Sequence, residues 1–368
     1  MALIEQLRIH RLTVPLRRPF VTAVRAALLI DVLLVEVRDS DGRCGWGEAP
    51  TSWRVTGESP EGVSAALSGP LIEAVRGLAS DDIESSGVAI ERAVVHNSSA
   101  RMALDCALFD LAAQIRGVPL FQFLGGSARD VRTDMTLSAV VNDADLATLV
   151  QTAHDFVDAG FSTLKMKAGA GGDDVKTLVE VRRAIGENVR LRVDANQGWS
   201  PDRAIQIIKA LEDAGVGVEL VEQPVGRDNI DGLALVTSQV ETPIMADESV
   251  WTSRDLREII RSHAADMINV KLAKTGGLRG AIDLASVAQE NGVRVIVGCM
   301  AESHVGIAAG AALASALKGS QQHSPEAQDL DGGLLLSFSP VLGGVTYQGE
   351  RLLLSDSPGS GILGLAAT

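Results

Sequence analysis

Charged residues stand at the ends of five successive apolar runs. The run STLKMKA carries Lys165 and Lys167, VRLRVDAN carries Asp194 and Asn196, and GVELVEQP carries Glu222. TPIMADE follows with Asp247 and Glu248, and DMINVKLA with Lys271. Their members recur every 24 to 28 residues, close to the roughly 30 residues of one strand–helix unit of a barrel. One such charge is ordinary as a solvated strand end. Five returns at a common period imply a shared rim. Three convergent acids repel, and the remedy with oxygen ligands alone is a hard divalent cation such as Mg2+. No His or Cys stands at these five ends, which disfavours zinc.

Lys165 and Lys167 flank one residue, so on a strand both side chains face the same way. Two like charges on the inner side of a barrel are expected to lower a lysine pKa toward neutrality and make a usable base.

The elements that must position these groups can be read from the same pattern. Residues 1–60 alternate as strands do, notably LLIDVLLVEV, and fit an antiparallel sheet. From Pro60 to Leu124 the apolar spacing is helical, and one helix stops at Gly117 with Pro119 beyond it. The first third is thus α+β. After Gly125-Gly126, eight short apolar runs alternate with amphipathic stretches: TDMTLSAV, the five above, VRVIVGCM and EAQDLD. Parallel strands joined by helices make an α/β barrel of the TIM type, with the charged ends at its C-terminal, active-site face. Past Asp331 the chain returns to hairpin-like strands that can rejoin the first unit. The expected boundaries are 1–128, 129–331 and 332–368.

Composition narrows the function classes. The 368 residues are 46% hydrophobic, enough for a large core, and carry a net charge of -14 with pI near 4.9. An acidic chain is not built for nucleic acid or an anionic membrane surface. Cys44, Cys106 and Cys299 have no CxxC spacing and read as reduced thiols. With no signal-peptide core in MALIEQLRIHRL and no apolar run of spanning length, the expected location is cytoplasmic. The sequence leaves a homo-oligomer open. The glycine-rich AGAGGDD lacks both GxGxxG and GK[ST], and His96, His154, His263, His304 and His323 share no metal spacing. His304 is expected near the rim.

LKMK, VDANQGW, VEQP, ADES and NVKLAKTGG, with the early GWGEA and the helical segment from Ala107 to Gly126, resemble in order and spacing the muconate lactonizing enzyme subgroup of the enolase superfamily. The resemblance implies a modified TIM barrel, (β/α)7β, with an N-terminal α+β capping domain completed by C-terminal strands. It implies Asp194, Glu222 and Asp247 as Mg2+ ligands, with Mn2+ a possible substitute, Lys167 and Lys271 as the acid–base pair, and Lys165, Asn196 and Glu248 in support. The reaction so implied removes a proton beside a carboxylate to give an enediolate. Mandelate racemase relatives use a histidine at the seventh strand, where this chain has Gly298-Cys299-Met300.

Within that subgroup the substrate must be read from the residues that touch it. Asp329 and Asp331 share one strand face, suit a substrate ammonium, and resemble the DxD of dipeptide epimerases of the L-Ala-D/L-Glu type. Asp before Gly332-Gly333 is also ordinary turn chemistry, but its place at the end of the last strand favours the substrate-binding reading. The segment GCMAES, with Cys299 and Met300, resembles the same epimerases. RPFVTAVRAA resembles their mobile specificity loop, in which Arg25 would receive a side-chain carboxylate. Ser138 is also expected to line the substrate. The expected activity is 1,1-proton transfer at the α-carbon of a dipeptide's C-terminal residue. N-succinylamino acid racemase, o-succinylbenzoate synthase and muconate-type cycloisomerase remain alternatives on one scaffold, and a metal-retaining, non-catalytic binding barrel is the alternative outside enzymes.

Overall fold

The computed structural model describes residues 2–141, 145–317 and 326–367. Three strands, β1 (Ile4–Val21), β2 (Ala26–Asp39) and β3 (Cys44–Pro50), form an antiparallel sheet in chain order. Because side chains alternate along a strand, β2 serves two cores. Leu33, Val35 and Val37 pack toward helix Ser98–Arg116, while Ile30, Val32 and Leu34 face a second cluster. Gly45 and Gly47 explain the GWGEA motif: a Cβ at either would collide with a main-chain carbonyl of that helix, at Ala107 or Ala103. Their bare backbone lets the helix lie directly on the sheet.

The next strands are β4 (Asp130–Thr133), β5 (Met135–Leu137), β6 (Thr163–Lys167), β7 (Arg190–Asp194), β8 (Val218–Glu222), β9 (Ile244–Ala246), β10 (Met267–Lys271), β11 (Arg294–Gly298) and β12 (Ala327–Gln328). From β5 to β11 they form one parallel sheet in chain order, each followed by a helix on the outside. Four of those helices begin at Asp173, Ser200, Asn229 and Thr252, each of which accepts the N–H three residues on and so caps its helix. The short β12 closes the ring. It runs parallel to β4, Asp329 N–H donates to Val297 O at 3.0 Å, and Asp134 N–H donates to Gln328 O at 2.9 Å. The expected (β/α)7β barrel is therefore present.

Register delivers the charged ends to one level. Lys167 pairs across from Asp194, and Asp194 from Glu222. Beyond Leu335 the chain divides its contacts. Strands β13 (Val341–Gly343) and β16 (Ile362–Leu365) pair antiparallel, and Val341 and Ile362 pack with Val14, Ile30 and Trp46 of the first sheet. The hairpin β14 (Thr346–Gln348) and β15 (Arg351–Leu353) instead adds to β4. Among the described residues, no helix is long and apolar enough to cross a membrane.

Candidate active site

The barrel mouth holds an alternating ring of ammonium and carboxylate groups, all buried. Lys167 Nζ lies 2.5 Å from Asp194 Oδ2 on the neighbouring strand. Lys271 Nζ lies 2.8 Å from Asp247 Oδ2 and 3.6 Å from Glu222 Oε1. Lys165 Nζ lies 2.5 Å from Asp329 Oδ1 and 3.5 Å from Glu222 Oε2. The amide of Asn269, two residues before Lys271 and so on the same strand face, donates to Glu222 Oε1 at 2.8 Å and Asp329 Oδ2 at 3.1 Å. Gly298 is needed beside it, since a Cβ there would overlap that amide. Asn196, at a positive φ of 42°, turns its N–H onto Asp194 Oδ1 at 2.8 Å and its amide toward Glu248 Oε1 at 3.5 Å.

These contacts reverse one expectation. Lys165 and Lys167 do face the same way, but each meets its own carboxylate. Burial works against the charged form of Lys165, yet Asp329, Glu222, Asp134 and Asp194 together hold its pKa well above the ordinary lysine value. Lys271 is held up in the same way by Asp247 and Glu222. Among the acids, burial and Glu222 push Asp194 up to about 6. Burial with Asp247 and Asp194 pushes Glu248 up to about 8. Glu222 goes the other way, since Lys165 and Lys271 overcome its burial.

Lys165, Lys167, Asn196, Asp247, Glu248, Lys271, Cys299, Met300, Asp329 and Asp331 line one pocket, closed from the first sheet by Phe20, Thr22, Arg25 and Val55. Asp194 and Glu222 lie beneath it, fully buried. Arg25 makes no side-chain ion pair among the described residues, and burial lowers its pKa. Asp331 accepts the Thr136 N–H at 2.7 Å and leads into the helical turn Gly332–Leu335. Ser138 is not at this pocket: its hydroxyl donates to Pro19 O and accepts from Val21 N–H, tying down the end of β1 that carries Phe20. His304 is not at this pocket either and packs edge-on against Tyr347, while His323 lies outside the described residues.

Sequence reading missed several residues that organise this mouth. Asn269 was open to the same period-two argument that singled out Lys165 and Lys167. Glu48 of GWGEA accepts Ser303 N–H and Oγ–H and Gly306 N–H, joining the first sheet to the loop after β11. Arg192 pairs with Asp134 at 2.8 Å inside the barrel, and nothing local in the sequence signals that pair.

Two sets of acids bear on a metal. The carboxylate oxygens of Asp134, Asp329 and Asp331 approach within 4.8 Å of one another, as those of Asp194, Glu222 and Asp247 do not among the described residues. Cations of the chain serve both sets, Arg192 at Asp134 and Lys165 at Asp329 in the first, Lys167 at Asp194 and Lys271 and Lys274 at Asp247 in the second. Buried oxygens without a hydrogen-bond partner collect around the second: Asn196 Oδ1, Glu222 Oε2 and Glu248 Oε2, against Asp134 Oδ1 alone in the first. An all-oxygen donor set with unsatisfied atoms fits Mg2+.

Comparison with known proteins agrees with this architecture. A model described as the mandelate racemase / muconate lactonizing enzyme N-terminal domain matches residues 4–125, and one described as enolase C-terminal domain-like matches residues 148–363. The L-Ala-D/L-Glu epimerase of Clostridium acetobutylicum is 38% identical over 99% of both chains. A substrate-liganded L-Ala-D/L-Glu epimerase from Bacillus subtilis superposes with a TM-score of 0.93 at 38% identity, covering 99% of this chain and 100% of that one. A dipeptide epimerase from Enterococcus faecalis V583, complexed with Mg and L-Leu-L-Tyr, gives 0.90 at 35% identity, covering 98% and 99%.

Proposed function

The chain belongs to the mandelate racemase / muconate lactonizing enzyme family of the enolase superfamily, and from that premise we propose that it is a Mg2+-dependent dipeptide epimerase. It is an isomerase that inverts the α-carbon of a dipeptide's C-terminal residue by removing a proton from one face and adding one to the other. The observation that carries this reading is the placement of Lys167 and Lys271 on β6 and β10, four strands apart, lining one pocket with Asp247, above the buried Asp194 and Glu222.

Asp194, Glu222 and Asp247 would hold Mg2+, or Mn2+ in its place, with Asn196 and Glu248 around them. When bound, such an ion supplies stabilisation of the negative charge that develops on the substrate carboxylate as the α-proton leaves. The chain's own part is to hold and move that proton. Lys167 takes it from one face and Lys271, already protonated, delivers a proton of its own to the other, with the roles exchanged in reverse. Lys271 is usable as a base once Asp247 and Glu222 are engaged elsewhere, since those two carboxylates hold its proton in place. Lys165 remains an ammonium and holds Asp329 and Glu222 in position. Phe20 and Val55 cover the pocket and limit water.

Asp331, with Asp329, takes the substrate's N-terminal ammonium, and Arg25 takes an acidic side chain on the C-terminal residue. Residues 1–128 serve as the cap, 129–331 as the catalytic barrel, and 332–368 as the segment returning to the cap. Three free thiols suit a cytoplasmic setting. One observation favours a second reading, racemisation of N-acylated amino acids such as N-succinyl derivatives: Asp329 is already paired with Lys165. Incubating a library of free dipeptides and N-succinyl amino acids in deuterated water and reading mass gain tests the proposal. Exchange confined to free dipeptides supports it, and exchange only in N-succinyl amino acids overturns it.

A further inference from the structure

Lys274 has no part in the chemistry above, yet it is the most enclosed ammonium near the mouth. Its side chain is 0% exposed, where Lys165, Lys167 and Lys271 keep 3%, 8% and 6%. It lies in the helical turn Leu272–Thr275 just after β10. An ammonium has three N–H donors, and Lys274 has three acceptors: the main-chain carbonyl of Asp247, Asp247 Oδ1 at 2.6 Å, and the carbonyl of Asn269 at 2.8 Å. No donor is left for a substrate.

The effect falls on Asp247. Its Oδ1 is held by Lys274 and its Oδ2 by Lys271, so one oxygen is anchored behind and the other turned to the pocket. The same ammonium grips the Asp247 backbone, which fixes the side chain at both ends. We propose that Lys274 is a positioning residue for the divalent-cation site, locking Asp247 so that Oδ2 is presented to the ion. This rests on the reading of Asp247 as a cation ligand.

The sign of the effect separates positioning from simple charge. A positive charge beside a metal ligand repels the ion, so removing it for electrostatic reasons alone would tighten binding. Removing an outer-shell partner that orients a ligand typically weakens binding about 10- to 100-fold. The test is titration of the folded protein with Mg2+ alone by calorimetry, with melting of the chelated protein in parallel. Lys274→Met is expected to raise the Mg2+ Kd by about 10- to 100-fold, with kcat recovering as Mg2+ is raised. Unchanged or tighter binding overturns the proposal, even if the chelated protein melts lower, which would mark a structural role only. Should Lys274→Met not fold, Lys274→Arg takes its place. A planar guanidinium cannot meet three acceptors set around an ammonium, so binding weakens several-fold, and unchanged binding overturns the proposal. Asp247→Asn is the control: if it binds Mg2+ as well as the wild type, the cation-site reading itself fails. If it loses Mg2+ while Lys274→Met keeps it, only the positioning role fails.

Discussion

Asp329 Oδ1 lies 2.5 Å from Lys165 Nζ, so the carboxylate expected to receive a substrate ammonium already holds one from its own chain. Asp331, two residues on, accepts a main-chain N–H from Thr136 and has no salt bridge among the described residues. The two aspartates should therefore separate on mutation. Asp331→Asn weakens the ammonium anchor, at a cost of roughly 1.5–3 kcal/mol or about ten- to a hundredfold in kcat/KM for free dipeptides. N-acylated substrates should be spared. Asp329→Asn also unpairs Lys165 and should lower kcat for both substrate types. Steady-state kinetics on matched free and N-acyl substrates checks the split, and equal damage by both variants would count against it.

Lys167→Ala and Lys271→Ala should each abolish net epimerisation. Each variant retains one lysine, so exchange of the α-proton with deuterated solvent should persist for a single enantiomer, and for opposite enantiomers in the two variants. Normal turnover of both enantiomers by either variant would remove the two-base assignment.

Chelation should abolish activity, and added Mg2+ should restore it. Because the ion binds the folded chain, Mg2+ should also raise the melting temperature in proportion to the logarithm of its concentration above Kd. Scanning calorimetry across a Mg2+ series reads this, and full activity after exhaustive chelation would exclude the metal.

Arg25→Met should lower kcat/KM for dipeptides ending in Glu by about tenfold to a hundredfold, the worth of a charge-assisted hydrogen bond. Dipeptides ending in an apolar residue should change little. A uniform loss across both would make Arg25 a part of the lid rather than of specificity.

Burial, with Glu48 beside it, raises the Glu302 carboxyl to about 8 from its ordinary 4.5. The folded chain thus keeps a proton that the unfolded chain gives up, so this stabilisation is complete below about pH 4.5 and is lost as pH rises through about 8. Glu302→Gln fixes the neutral form. It should melt with the wild type at the acid end of that window and progressively above it toward pH 8, a trend that melting curves on the chelated proteins would show or refute.

The fold and the charged rim were legible because both depend on local periods. Strand alternation puts Lys165 with Lys167, and the repeating strand–helix unit brings Asp194, Glu222 and Asp247 to one end. What each ammonium touches was not legible, because ring closure decides it. Asp329 reaches Lys165 only after the remote β12 is laid beside β11, and that contact reversed the expected lysine pKa. Lys274 escaped notice since it follows the strand end, where period two no longer applies. Ser138 stands at a strand end like the others, but its hydroxyl is taken up by the end of β1 instead of the pocket.

The packing of Val341 and Ile362 against Val14, Ile30 and Trp46 also sets an order of events in biogenesis. Much of this face of the first sheet stays bare while the barrel is being synthesised, for beyond Val305 its cover is Leu336, Val341 and Ile362, more than three hundred residues downstream of Val14. Contacts that distant in sequence close late and slowly. A nascent chain stalled before Leu336 should therefore expose part of an apolar sheet face and invite chaperone binding, and release of the segment from Leu336 onward is the step that commits the first sheet to its seat.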